Sequence, residues 1–70
     1  MLLKWNLYGT PHPQEQHLAS RLQFKAKIVF YTEKRLVVIV EFDSDAELVK
    51  GVIEDYFQSR NVKAIQDIEG

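Results

Sequence analysis

The stretch Gln14-Glu15-Gln16-His17-Leu18-Ala19-Ser20-Arg21-Leu22-Gln23-Phe24-Lys25-Ala26-Lys27-Ile28-Val29-Phe30-Tyr31-Thr32 admits two readings, and the fold turns on which one holds. With a period of two, Leu18, Ser20, Leu22, Phe24, Ala26, Ile28 and Phe30 share one face, while Arg21, Gln23, Lys25, Lys27, Val29 and Tyr31 share the other. Sustained alternation is the mark of a β-strand, whose successive side chains point to opposite sides. With a period of 3.6, the first half becomes a short helix from Pro13 to Leu22, opened by proline and carrying Leu18 and Leu22 one turn apart. Its first turn, Pro13-Gln14-Glu15-Gln16, brings no apolar stripe. The balance over 14–21 therefore falls to strand, and 22–32 reads as strand throughout.

The flanking segments are plainer. Over residues 2–8, Leu3, Trp5 and Leu7 alternate with Lys4, Asn6 and Tyr8, the pattern of a half-buried strand. Leu36-Val37-Val38-Ile39-Val40-Glu41-Phe42 is β-branched and aromatic, and its apolar character on both faces predicts a central or doubly covered strand. Residues 45–60 predict a helix. Ser44 and Glu47 have the spacing of a capping box, and Leu48, Val49, Val52, Ile53, Tyr56 and Phe57 form one apolar side. Gly51 falls on the polar side, Asn61 suits the left-handed residue after the helix, and residues 62–68 read as a last short strand. Gly9-Thr10-Pro11-His12-Pro13 is the one strong loop signal.

Cross-strand chemistry selects a register for the two middle strands. A two-residue loop, Glu33-Lys34, sets Ala26 opposite Glu41 and Lys27 opposite Val40, mixing charge into both faces. A three-residue loop, Glu33-Lys34-Arg35, sets Phe30 against Val38, Ile28 against Val40 and Ala26 against Phe42. It also sets Lys27 against Glu41 and Lys25 against Asp43, opposite-charge pairs that stabilise a sheet by roughly 0.2–1 kcal/mol each. The second register satisfies both faces, and it calls for one left-handed residue in the loop.

These segments assemble into a single α+β domain over residues 1–70. The architecture is a two-layer sandwich: an antiparallel sheet of about four strands with one long helix on one face, in the order β-β-β-α-β. If residues 13–22 are helical, the order becomes β-α-β-β-α-β, the ferredoxin-like arrangement.

Composition narrows the chemistry. The chain has no cysteine, which excludes disulfides, thiol catalysis and cysteine-ligated metal or iron–sulfur centres. Leu36–Val40, the longest apolar run, is too short to span a bilayer, and Lys4 and Asn6 interrupt the first residues, so no signal peptide is read. The expectation is a soluble cytoplasmic protein. His12, Glu15 and His17 match no metal-ligand spacing, the carboxylate pairs lie on the polar side of the helix or at its start, and the glycines are isolated. No catalytic, cofactor or metal site is expected, and the chain reads as a non-enzyme.

Charge is uneven. Residues 1–35 hold six basic and two acidic side chains, and residues 36–70 hold three basic and eight acidic, for a net charge of −1. In the chosen register the face away from the helix carries Val29, Tyr31, Val37 and Ile39, with Tyr8 nearby. One helix covers only one face of a sheet, so this patch predicts an interface, most simply a homodimer and otherwise a contact with another protein. The alternative is single-stranded nucleic acid bound on the same face by Lys4, Arg21, Lys25 and Lys27 with stacking from Tyr8 and Tyr31. A pI near 6.1 weighs against it.

Overall fold

The structure is a computed structural model, and it describes residues 1–9 and 14–68. Strand β1 spans Leu2–Tyr8, helix α1 Glu15–Leu22, β2 Ala26–Tyr31, β3 Arg35–Val40, helix α2 Ala46–Gln58 and β4 Lys63–Gln66. The strands form one sheet in the order β2-β3-β1-β4, and every neighbouring pair is antiparallel. The α+β two-layer architecture is as expected, with β3 inside the sheet. Of the two element orders, the ferredoxin-like β-α-β-β-α-β is the one found.

The strand reading of residues 14–25 is thereby corrected, since Leu22 closes α1 and residues 23–25 turn into β2, and width explains the outcome. Four strands span about 19 Å, whereas one helix covers only about 10 Å. A second helix is needed, and two leucines suffice for it. Leu18 and Leu22 are buried on α1, while Arg21 and Ser20 face outward. The helix ends in two consecutive left-handed residues, Gln23 (φ 52°) and Phe24 (φ 66°), with the Lys25 amide donating to the Leu22 carbonyl at 3.0 Å. For residues with a Cβ this conformation costs roughly 1–2 kcal/mol each.

The β2–β3 register also departs from expectation, because the strand contains a bulge. Next to the turn, Tyr31 pairs with Leu36 and Phe30 with Val37. Beyond Val29 the register shifts, so that Ile28 pairs with Val38, Lys27 with Ile39 and Ala26 with Val40. The connection is the two-residue loop Glu33-Lys34. The Thr32 amide donates to the Arg35 carbonyl at 2.9 Å, and the Thr32 hydroxyl oxygen accepts from the amides of Lys34 and Arg35, both at 3.2 Å. No residue of this loop has a positive φ. The tight turn and the apolar face conflict in any single register. One extra residue in β2 reconciles them by giving each half of the strand its own pairing. The expected pairs Lys27–Glu41 and Lys25–Asp43 are accordingly absent, and Lys25 lies 3.8 Å from Asp45 instead.

The inner sheet face contributes Leu3, Trp5, Leu7, Leu36, Val38 and Val40 to the core. They meet Leu18 and Leu22 of α1 and Val49, Ile53, Tyr56 and Phe57 of α2. The Trp5 indole N–H donates to the Glu54 carboxylate at 3.2 Å, so the largest buried ring keeps its one polar atom satisfied. The capping box does not form. A 3₁₀ turn over Asp43–Asp45 precedes α2, its amides bond back to Phe42 and Asp43, and Ser44 makes no side-chain cap. Asn61 takes the expected left-handed conformation (φ 62°).

Candidate interaction surface

Both helices lie on one side of the sheet, which leaves its other face open. Pairing across the strands arranges that face in rows. Lys27, Ile39 and Leu2 lie abreast on β2, β3 and β1, and Phe30, Val37 and Lys4 form the next row. Arg35, Asn6 and Ile65 follow on β3, β1 and β4, then Tyr8 beside Lys63. The apolar members are well exposed: Leu2 54%, Val29 57%, Phe30 50%, Ile39 44% and Ile65 46%.

The bulge decides who stands on this face. Val29 and Phe30 are adjacent in sequence and both exposed, which breaks the alternation of β2, so the next residue, Tyr31, turns inward. Tyr31 is half-buried against the core, its ring 6.3 Å from that of Phe57 and edge-on to it. Burial, then the Tyr56 and Glu15 charges, raise the Tyr31 phenol above its ordinary pKa. The expectation that Tyr31 belongs to the open face is corrected. Val29, Val37, Ile39 and Tyr8 are on it, and Phe30, Leu2 and Ile65 join them. The missing signal was the failure of either uniform register to satisfy turn and faces together.

A polar group crosses the middle of the face. The Arg35 guanidinium donates to the Asn6 side-chain oxygen at 3.3 Å and to the Asp67 carboxylate at 3.1 Å, tying β3, β1 and the segment after β4. The four cations expected to act together are dispersed. Lys4 and Lys27 stand on the open face, Arg21 lies on α1 in the helix layer, and Lys25 is in the turn before β2 near Asp45. With Tyr31 also turned inward, the six side chains named for nucleic acid do not share one surface.

Elsewhere, His17 is exposed on α1, Glu15 stands at its first position, and His12 lies outside the described residues. Among the described residues no three metal-ligating side chains converge, and no helix is long and apolar enough to cross a membrane. Comparison with family models, curated proteins and solved structures finds no match to this chain.

Proposed function

We propose that this chain is a non-enzymatic interaction module that pairs with a second copy of itself through the open face of its sheet. The observation that carries this reading is the apolar group of Leu2, Val29, Phe30, Ile39 and Ile65, each about half exposed and spread over all four strands. Exposed apolar side chains gathered on one face are a usual sign of an interaction site.

Stability supports a like partner. A 70-residue chain buries only about 60% of its unfolded surface, and pairing with itself would supply apolar burial its own core lacks. The Arg35 charge already meets Asp67 within the chain, so covering it does not strand an unpaired ion.

Sedimentation equilibrium tests the proposal. The wild type is expected to sediment as a dimer at micromolar concentration. Ile39→Lys is expected to give a monomer whose circular dichroism remains that of a folded α+β chain. A wild type that stays at 8.2 kDa throughout, or an Ile39→Lys chain that associates like wild type, would overturn it.

A further inference from the structure

We infer that the corner of the open face around Phe24 is a self-complementary contact, in which Lys27 of each copy meets Glu41 of the other across a two-fold axis. This rests on the homodimer proposed above and names how its two faces are matched.

Three observations converge there. Phe24 is fully exposed, and it stands on a non-glycine left-handed residue that directly follows another. An aromatic side chain in that conformation is an outlier, and such strain recurs where a residue is held for a partner. A shallow depression of about 440 Å³ lies beside it, lined by Phe24, Lys25, Lys27, Ile39 and Glu41 among others.

The third observation is charge. Lys27 and Glu41 stand on the same rim, and among the described residues neither side chain has an ion-pair or hydrogen-bond partner. The tight turn and the bulge together cause this, since they set Lys27 opposite Ile39 rather than Glu41. Lys25 on the same rim lies 3.8 Å from Asp45 and the Met1 ammonium donates to the Val40 carbonyl, which leaves Lys27 and Glu41 as a cation and an anion complementary to their own two-fold image, because in an isologous interface each residue meets the counterpart of its neighbour. Ile39 belongs to both the depression and the open face, so the corner is continuous with the larger surface.

Charge exchange tests the assignment. Lys27→Glu and Glu41→Lys, each alone, place like charges across the axis twice, and each is expected to raise the dimer dissociation constant at least about tenfold. Mixing the two single variants in equal amounts is expected to restore wild-type affinity as a heterodimer, and the double exchange within one chain to restore it as a homodimer. Phe24→Gly is expected to weaken association while leaving the monomer folded. If the single exchanges leave the dissociation constant unchanged while Ile39→Lys still abolishes the dimer, the open face is the interface and this contact is wrong. Single exchanges that weaken association without rescue in the mixture would also overturn it.

Discussion

Two glycines show how much a single side chain can decide. A Cβ at Gly51 would meet nothing within 4 Å on the exposed side of α2, so Gly51→Ala gains helix propensity without a clash. Stabilisation of about 1 kcal/mol is expected by urea denaturation. Gly9 has φ +133°, and a Cβ there would lie 2.9 Å from the Asn61 carbonyl oxygen. Gly9→Ala is expected to shift the same transition to lower urea by an amount exceeding the Gly51 gain. Tyr31 gives a pH signature. Its phenol is raised above the ordinary 10.0 in the folded chain, so folding holds that proton more tightly than the unfolded state does. The contribution is fully present below pH 10 and is lost as pH rises through the raised value. Tyr31→Phe should therefore lose less stability than wild type between pH 9 and roughly 11 in parallel urea titrations. An identical alkaline loss in both would contradict this.

Strand β2 holds the most informative element. If Val29 is the residue that lets the turn and the apolar face coexist, its deletion should join Ile28 and Phe30 into one continuous ladder against Val38 and Val37. The shortened chain is expected to fold, to keep Tyr31 against Phe57, and to protect the β2 amides more strongly in hydrogen exchange. Unfolding of the deletion variant would refute the bulge's role. The same element marks what was legible in the sequence. β1 and α2 announced themselves because each has one period and one buried face, and β3 because its run of β-branched residues suits a strand inside a sheet. Residues 14–24 did not, because Leu18 and Leu22 fit both periods, and the deciding factor was the uncovered half of a sheet elsewhere in the chain. The pairing of β2 was illegible for a similar reason. Cross-strand chemistry argues from uniform register, and a bulge is the case where no uniform register exists. The Ser44–Glu47 box failed locally, since the 3₁₀ turn satisfied the first amides of α2 with backbone carbonyls.

At the scale of the whole molecule, folding and association should be one equilibrium. A domain this size has a small margin, and anything that binds only the folded form adds to it by mass action. The midpoint of thermal unfolding is therefore expected to rise with protein concentration in the wild type and to be independent of it in Ile39→Lys. A concentration-independent midpoint in the wild type would count against self-association. The surface proposed for it was only partly visible beforehand. Val29, Val37 and Ile39 followed from the absence of a second cover, whereas Phe30 and Tyr31 exchanged sides because of one residue. Leu2 and Ile65 joined the patch only once the topology set β1 and β4 side by side.

The bulge has a last consequence, for what does not happen. A chain with an apolar face and two free strand margins is a seed for open-ended polymerisation, since each margin offers a row of unpaired amides and carbonyls to the next molecule. Here one margin is β2, bent by its extra residue and bearing Lys27, and the other is β4, only four residues long. Neither gives a long flat template. Growth by strand addition is thereby disfavoured at both margins, and the proposed pairing through the open face would close on two copies.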